Sequence, residues 1–294
     1  MHDDQLEITP GTVRKLIGTQ FPQWAGLPVR GLWTSGTVNA IFRLGDHLAA
    51  RFPLRPGDDV EVEAAAARAL LGRTRFATPE PVAIGEPGAG YPLRWSVQTW
   101  LPGVVATDAD PGASVGFAHD VAEFITGVRA IDAEGRTFRG TGRGGVLRDH
   151  DEWVQTCLRN SEGLLDVPRL RDLWATMRDL PRGDGPDLMN HGDLIPGNVL
   201  VADGRLAGVL DVGGLGPADP ALDLVAAWHL LEAGPRAVLR DQLGCTNLEW
   251  DRGRAWAFEQ AIGLVFYYRR TNPPMSDLGR RTLGRTAADL GSNA

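Results

Sequence analysis

The stretch that decides the fold is HGDLIPGN, residues 191–198, followed 13 residues later by Asp211 at the end of the apolar segment GVLDVGG. Alone, HGD is typical of a polar turn, and Asp211 is a plausible cap at the end of a strand. Together they are more informative, because a predicted two-stranded hairpin returns Asp211 to the neighbourhood of Asn198. An amide and two carboxylates, including that of Asp193, would then lie close together. Such oxygen ligands suit Mg²⁺, which proteins hold through one or two carboxylates with phosphate and water.

Patterns on both sides of this stretch predict a chain of two unequal parts. Residues 27–54 and 91–100 contain strand-like runs separated by short turns, which is typical of an antiparallel meander. Beyond them, helical spacing predicts helices at about 115–131, 151–158, 168–180, 221–231, 235–243 and 251–270. We therefore expect a bilobal α+β fold, with a small antiparallel β lobe over residues 1–101 and a larger, mostly helical lobe over 102–294.

Two helices accompany the strands of the smaller part. Thr9 is a candidate N-cap for a first helix that starts at Pro10. A second, alanine-rich helix is predicted over residues 60–71 and ends before Gly72, which readily adopts a left-handed backbone. Lys15, on the polar face of the first helix, is the single lysine of the chain. A mechanism that needs a lysine elsewhere must therefore use another residue.

Composition excludes several classes of protein. The 294 residues are 43% hydrophobic and 23% charged, a balance that permits a full core and excludes a disordered or collagen-like chain. The net charge of −7 disfavours nucleic acid as a partner and suits a cationic ligand. Cys157 and Cys245 lack the spacing of a disulfide framework or a zinc site. Without a signal peptide or a long apolar run, we expect a cytoplasmic protein with no membrane partner.

The motif pair resembles the aminoglycoside phosphotransferase family, which has the protein-kinase-like fold and includes macrolide phosphotransferases. Protein kinases carry a catalytic loop H-R-D-x-x-x-x-N and a metal motif D-F-G. The corresponding stretches here are HGDLIPGN at 191–198, the first motif, and DVG at 211–213, the second motif. The resemblance also covers residues 36–51, the segment near Gln98 and the block up to Leu224, and it implies an ATP site between two lobes.

The resemblance assigns a role to each polar residue of the motif pair. It implies that Asp193 is the catalytic base for the acceptor hydroxyl and that Asn198 and Asp211 hold Mg²⁺. His191 would support the loop, and Asp223 would hold local structure. Phosphoryl transfer then depends on positioning and charge neutralisation rather than on covalent chemistry by the protein.

The small lobe contains the other residues that the resemblance implicates. Ser35, Gly36 and Thr37 lie between two strands, where they could cover nucleotide phosphates, although the segment alone is typical of a hairpin turn. Arg51 stands where kinases place a lysine on the third strand, and its planar fork should contact phosphates differently from a lysine. Its predicted partner is Glu63, which lies on the apolar stripe of the second helix and would be costly to bury unpaired.

Two further positions complete the expected site. Backbone groups of Gln98, Thr99 and Trp100, where the lobes connect, would hydrogen-bond the adenine edge. Without the resemblance, the same residues indicate only a strand that ends at Pro102. Ile195 departs from the family pattern, which often has histidine there, so a polar group beside the base is absent.

Aromatic and acidic residues of the C-terminal helices allow two interpretations each. The aromatic residues, with one histidine among them, are Trp228, His229, Trp256, Phe258, Phe266, Tyr267 and Tyr268. Their helical spacing is typical of a core, although some could stack on sugar rings or a macrolide skeleton. Glu232 and Glu259 could bind an aminosugar ammonium group or lie on solvated faces.

The leading hypothesis is a kinase that transfers the γ-phosphate of ATP to an alcohol group of an aminoglycoside-like acceptor, with Mg²⁺ as the metal and GTP as an alternative donor. A macrolide or another hydroxylated metabolite is the alternative acceptor, and antibiotic resistance is the associated role. The rival hypothesis is a pseudokinase that binds nucleotide without transfer, favoured by the absent lysine and by DVG in place of DFG. The presence of Asp193, Asn198 and Asp211 favours the enzyme. No oligomeric state follows from the sequence.

Overall fold

The computed structural model describes residues 6–32, 38–57 and 59–289. Its helices are α1 (Pro10–Gln20), α2 (Val60–Leu70), α3 (Val115–Arg129), α4 (Asp151–Asn160), α5 (Val167–Met177), α6 (Val225–Leu230), α7 (Ala233–Leu243), α8 (Asn247–Tyr267) and α9 (Pro273–Ala288). Its strands are β1 (Val29–Leu32), β2 (Asn39–Leu44), β3 (Leu48–Pro53), β4 (Pro81–Gly85), β5 (Trp95–Thr99), β6 (Val104–Val105), β7 (Leu188–Asn190), β8 (Val199–Ala202), β9 (Arg205–Val209) and β10 (Gly216–Ala218). The expected α+β arrangement is confirmed.

The N-terminal sheet is antiparallel, with strand order β1-β2-β3-β5-β4. The central strand β3 pairs on both sides, so that Arg51 lies opposite Ile41 of β2 and Ser96 of β5. Phe52 of the same strand stacks on Trp95 with ring centroids 4.8 Å apart. The apolar face of α1 packs on this aromatic pair and completes a separate small core. This packing makes β3 a rigid support for the Arg51 side chain.

Helix α2 connects the sheet to the helical region. Asp59 caps its N-terminus by accepting hydrogen bonds from two amides of the first turn. Ala67 and Leu70 on its inner face belong to the larger hydrophobic core rather than to the core of the sheet. As predicted, the helix ends just before Gly72, whose φ is +71°. The helix also packs against residues 212–214, which places its first turns beside the second motif.

The helical region is built around α8, whose 21 residues are buried on nearly every side. Helices α4, α5, α6 and α9 all contact it. A helix that is surrounded in this way belongs to the interior of a domain. Two small sheets, β6-β8-β9 and β7-β10, carry the motif pair at the surface of this region.

A buried ion pair joins α8 to the chain that follows β10. Arg252 Nε and Nη2 donate to Asp219 Oδ2 at 2.9 and 2.5 Å, and the two residues are only 2% and 3% exposed. Trp256 Nε1 donates to the same oxygen, and the Ala221 amide donates to Asp219 Oδ1. Removing one partner of such a pair costs about 3–5 kcal/mol. The contact therefore fixes the chain that continues from the second motif.

The sequence patterns predict most of these elements, with two differences in the C-terminal half. The predicted helix over 221–231 begins with a 3₁₀ turn at residues 222–224, and only α6 is α-helical. Helix α9 is not predicted at all, because Pro273 and Pro274 resemble a break. They occupy the first turn after the N-cap Asn272, where a missing N–H costs nothing. None of the helices in the described ranges combines the length and apolar character that crossing a membrane requires.

Candidate active site

A cleft of about 770 Å³ lies where the motif pair meets α2. Carboxylates of Asp59, Glu63, Asp193 and Asp211 line it, together with the guanidinium of Arg143. Other described residues of its wall include Asn39, Phe138, His191, Gly213 and Leu222. A cleft of this volume, with a few converging polar groups, is typical of a small-molecule site.

The loop after β7 is held in place by a buried carboxylate. Asp223 Oδ2 accepts a hydrogen bond from the His191 amide, and Oδ1 accepts one from the Gly192 amide, both at 2.8 Å. Gly192 has a φ of +84°, which glycine adopts without strain. Burial raises the pKa of the Asp223 carboxyl, and the two backbone donors oppose that rise. Asp223 thus orients the backbone of the loop without facing the cleft.

His191 is fully buried and supports the loop from below. Its Nε2 lies 2.9 Å from the Leu210 carbonyl oxygen, and its Nδ1 lies 3.3 Å from the Asp193 amide nitrogen. The ring therefore donates from Nε2 and accepts at Nδ1, because the carbonyl only accepts and the amide only donates. His191 thereby links the first motif to the end of β9.

Asp193 presents its carboxylate at the floor of the cleft. Asn198 Nδ2 donates to its Oδ2 at 2.9 Å and to its backbone carbonyl at 3.0 Å. Gln260 Nε2 donates to its Oδ1 at 2.5 Å, and Arg143 Nη2 lies 3.9 Å from the same oxygen. The Asp193 side chain is still 36% exposed. The carboxylate is therefore oriented from both sides and accessible to a ligand.

The β8–β9 hairpin returns Asp211 to Asn198, as the sequence pattern predicts. Val199 pairs with Val209, and the Leu210 amide donates to the Asn198 carbonyl at 2.7 Å. Asp211 follows with φ +56° and ψ +52°, in the left-handed region, which aspartate tolerates better than most residues do. This turn of the backbone leaves the Asp211 side chain 47% exposed at the cleft.

Arg51 connects the N-terminal sheet to both α2 and the second motif. Its Nη1 lies 3.5 Å from Glu63 Oε2, which confirms the predicted ion pair. Its Nη2 donates to Asp211 Oδ1 at 2.7 Å, a contact that the sequence does not predict. The planar guanidinium can address two carboxylates at fixed angles, which a single ammonium group cannot do.

Gly213 allows α2 to approach the second motif. A Cβ atom built at this position would lie 2.7 Å from Glu63 Cγ. Real Cβ atoms do not approach another carbon so closely, so any other residue would displace Glu63. Glycine at the third position of DVG is thus a condition for the Arg51–Glu63 pair.

The motif pair has the donor chemistry of a site for Mg²⁺ carried by a nucleotide. Asn198 offers an amide oxygen and Asp211 a carboxylate, both hard ligands of the kind that Mg²⁺ uses alongside phosphate and water. Because Asn198 directs its Nδ2 at Asp193, its Oδ1 is the atom that would meet a cation. Within the described ranges, no group of three His, Cys, Asp or Glu side chains lies close enough to hold a metal by itself.

Comparison with known proteins identifies the family. Residues 32–256 match the family model described as "Phosphotransferase enzyme family". The chain belongs to this family. The match covers most of the sequence, including Arg51, Glu63 and the complete motif pair.

Curated members of this phosphotransferase family match over part of their length. An aminoglycoside 3'-phosphotransferase from Streptomyces fradiae is 32% identical over 171 residues, which are 54% of this chain and 60% of that protein. An aminoglycoside 3'-phosphotransferase from Escherichia coli is 39% identical over 61 residues, which are 20% of this chain and 22% of that protein. The matched stretches thus span less than two thirds of these relatives.

Solved structures share the fold over nearly the whole chain. The GDP complex of aminoglycoside 2'-phosphotransferase-IIIa has a TM-score of 0.69 at 18% identity and covers 96% of this chain and 100% of that one. A macrolide 2'-phosphotransferase from Brachybacterium faecium has a TM-score of 0.59 at 20% identity and covers 93% and 97%, respectively. The phosphotransferase chain described here therefore has the kinase-like fold of these structures.

The segment expected at the adenine edge lies at the end of β5. The Thr99 amide donates to the Glu80 carbonyl at 2.9 Å, and the Trp100 amide donates to the His47 carbonyl at 2.7 Å. Gln98, Thr99 and Trp100 are not among the described residues that line the cleft. A base edge at this segment would therefore donate to carbonyl oxygens rather than accept from those two amides.

Two other positions singled out in the sequence are residues 35–37 and Ile195. Ser35, Gly36 and Thr37 lie outside the described residues. Ile195, the departure from the family pattern, contributes to the loop through its backbone. Its amide donates to the Asp193 carbonyl, and its own carbonyl accepts from the Asn198 amide, both at 2.9 Å.

The core interpretation is confirmed for the fully buried aromatic residues Trp228, Trp256 and Phe258, whereas Tyr267 is 43% exposed. Neither interpretation of Glu259 is correct. Its carboxylate is buried beside His150 Nδ1 at 2.9 Å, a hydrogen bond that raises the pKa of the imidazole. Glu232 is exposed and pairs with Arg285.

Two residues beside the Asp193 carboxylate are absent from the sequence-based site, namely Arg143 and Gln260. Arg143 belongs to the loop between α3 and α4, which is rich in glycine and arginine and has no motif. Gln260 lies on α8, where two polar residues, Glu259 and Gln260, interrupt a buried apolar run, AFEQAIG. That interruption is the sequence signal that marks it.

Proposed function

We propose that this family member transfers the γ-phosphate of ATP to a hydroxyl group of a small, aminoglycoside-like acceptor, with GTP as an alternative donor. The single observation that carries the proposal is the Asp193 carboxylate, which Asn198 and Gln260 orient at the floor of the cleft while it stays accessible. A carboxylate in this position can accept the hydroxyl proton as the oxygen attacks phosphorus. Asp193 is therefore our candidate for the catalytic base.

The nucleotide would occupy the side of the cleft formed by the second motif and the N-terminal sheet. We assign Asn198 and Asp211 as the Mg²⁺ ligands, and the bound ion would neutralise charge on the phosphate oxygens. Arg51 lies next to Asp211 and so next to those phosphates. Residues 35–37 would cover the phosphates, and carbonyl groups of residues 98–100 would meet the purine edge.

Arg143 favours a second class of acceptor. Its guanidinium lines the cleft 3.9 Å from the Asp193 carboxylate, the group that we propose accepts the hydroxyl proton. A cation there repels a polycationic ring and suits a neutral or weakly charged one. A macrolide or another hydroxylated metabolite is therefore the alternative acceptor.

Two further proposals concern the chain as a whole. We place the division between lobes after residue 101, because β5 ends at Thr99 and β6 already pairs with β8 of the helical region. We also propose a cytoplasmic location, where ATP and Mg²⁺ are abundant. Both cysteines are free thiols, which suits a reducing compartment.

The test is ADP release from Mg·ATP across a panel of aminoglycosides, macrolides and simple polyols. Asp193→Asn should lower kcat by at least about 100-fold while ATP binding changes little, since a general base contributes about 10²–10⁴-fold. Asp203→Asn is the matched control, because Asp203 is exposed in the turn of the same β8–β9 hairpin. The control should keep full activity.

The outcomes separate the hypotheses. Stimulation by one acceptor class that is lost in Asp193→Asn supports transfer and identifies the class, and an antibiotic in that class would make resistance the role. Nucleotide binding without turnover for any acceptor would favour the pseudokinase. A fully active Asp193→Asn variant would remove Asp193 from the mechanism.

A further inference from the structure

A chain of hydrogen bonds runs from the Asp193 carboxylate into the core of the helical region. Gln260 Nε2 of α8 donates to Asp193 Oδ1 at 2.5 Å. Gln260 Oε1 lies 3.1 Å from His229 Nε2 of α6. His229 Nδ1 in turn lies 3.0 Å from Thr282 Oγ1 of α9. Helices α6, α8 and α9 are thereby connected to the Asp193 carboxylate.

The inner members of this chain are shielded from water. His229 is 1% exposed, and Thr282 is fully buried. Burial lowers the pKa of His229 to about 3, and the positive charges of Arg143 and Arg285 act in the same direction. The imidazole is therefore neutral at the pH of a cell and has one donor nitrogen and one acceptor nitrogen.

The chemistry of each group allows only one direction for the donors. A carboxylate only accepts, so Gln260 must turn its NH₂ group toward Asp193 and its oxygen toward His229. That oxygen only accepts, so the neutral His229 must carry its proton on Nε2. Its Nδ1 then only accepts, which leaves Thr282 as the donor of a hydroxyl proton. Each member thus fixes the orientation of the next.

We propose that Gln260 is a positioning residue for Asp193 and that His229 and Thr282 keep its amide group in the donating orientation. The inference rests on the proposed role of Asp193 as the base. With Asn198 on Oδ2 and Gln260 on Oδ1, each carboxylate oxygen accepts one hydrogen bond and has a further lone pair for the substrate proton. A flipped or missing Gln260 amide would let the carboxylate rotate away from the attacking hydroxyl.

Steady-state kinetics of the full chain test this inference. Gln260→Leu should lower kcat about 10- to 100-fold, because a hydrogen bond to a charged group is lost, while KM for ATP changes less than about twofold. Thr282→Val should lower kcat by a smaller factor, about fivefold, and Thr282→Ser should restore it because the hydroxyl donor is present again. Gln242→Leu, an exposed glutamine of α7 that pairs with His119 on the surface, is the matched control.

Three results would overturn the inference. One is a Gln260→Leu variant with wild-type kcat in an enzyme that Asp193→Asn inactivates. Another is an equal loss in Thr282→Ser and Thr282→Val, which would assign Thr282 to packing alone. Since the chain contains six histidines, ¹⁵N-histidine spectra assigned with His229→Gln provide a third readout that does not need activity. A protonated Nδ1 at His229 would contradict the donor direction, whereas a protonated Nε2 supports it even if no acceptor is found.

Discussion

Arg51 and Asp211 lie 160 residues apart in the chain, and Arg51 Nη2 donates to Asp211 Oδ1 at 2.7 Å. The same guanidinium lies 3.5 Å from Glu63, so one cation joins the N-terminal sheet, helix α2 and the second motif. Arg51 is 7% exposed, which means that water screens these interactions only weakly. The N-terminal sheet, helix α2 and the end of β9 are thus held together by one guanidinium group.

The first prediction concerns this arginine. Arg51→Ala should raise KM for ATP about 10-fold or more, because the phosphates and both carboxylates lose a charged donor. The KM for ATP of Arg51→Lys should fall between those of Arg51→Ala and the wild type, since an ammonium group cannot address two carboxylates at fixed angles. The measurement is initial rate against ATP concentration at saturating acceptor.

Arg30→Ala is the control for Arg51, because Arg30 is an exposed arginine of the same sheet. It should leave KM for ATP unchanged. If Arg51→Lys behaved like the wild type, the planar geometry of arginine would have no part in nucleotide binding.

The second prediction separates the charge of Asp211 from its backbone conformation. Asp211→Asn should weaken Mg²⁺-dependent ATP binding about 10-fold or more and lower Tm only slightly, because asparagine also tolerates a φ of +56°, its Oδ1 can still accept from Arg51, and Glu63 remains a charged partner of Arg51. Asp211→Ala should weaken binding as well and also destabilise the fold by about 1 kcal/mol, since alanine adopts the left-handed region less readily. Calorimetric titration with and without Mg²⁺ measures the binding, and an unchanged titration for Asp211→Asn would remove it as a ligand.

The third prediction concerns the contact of Gly213 with α2. Gly213→Ala should lower kcat/KM for ATP about 10-fold, because the added methyl group would displace Glu63 from Arg51. Gly234→Ala in α7 serves as the control, since a Cβ at Gly234 meets nothing within 4 Å. Equal kinetics for the two variants would show that the position of Glu63 does not matter for the nucleotide.

The fourth prediction is a pH dependence of stability from His229, whose pKa is lowered to about 3 by burial. The unfolded chain takes up a proton at this histidine near pH 6.5, and the native protein does not, so stability falls as pH decreases from about 6.5 toward 3. Between pH 7 and pH 5 this single group should lower the free energy of unfolding by about 2 kcal/mol. His229→Gln should lack that part of the slope.

Urea titrations of both proteins at the two pH values measure this effect. His150 acts in the opposite direction, because its pKa is raised by Glu259 and its contribution to stability is lost as pH rises. The difference between the wild type and His229→Gln isolates the histidine of interest. Parallel curves for the two proteins would show that His229 does not stay neutral in the folded state.

The fold and the centre of the site could be predicted because their signals are local. The hairpin between Asn198 and Asp211 follows from the 14 consecutive residues 198–211, and turn and strand patterns suffice to bring its ends together. The family resemblance selects Arg51, and one physical rule, that a charge on an apolar stripe needs a partner, selects Glu63. Each of these inferences depends on contacts within one element or between neighbouring ones.

The remaining parts could not be predicted because they depend on packing between distant elements. His150 meets Glu259 across 109 residues, and Gln260 meets Asp193 across 67. No spacing rule connects such pairs, so the sequence places Glu259 either at an aminosugar ammonium group or on a solvated face, and neither is correct. Helix α9 escaped prediction because two prolines that begin it have the same appearance in a sequence as two prolines that end a helix.

The left-handed backbone at Asp211 also limits how this chain can change in evolution. A single base change in an aspartate codon gives asparagine, the replacement that keeps this φ with little strain. A descendant that lost phosphate transfer by that route would keep its hairpin, its cleft and the packing of α2 against residues 212–214. Loss of catalysis and loss of folding are separate events at this position, and a former enzyme of this architecture can persist as a folded protein.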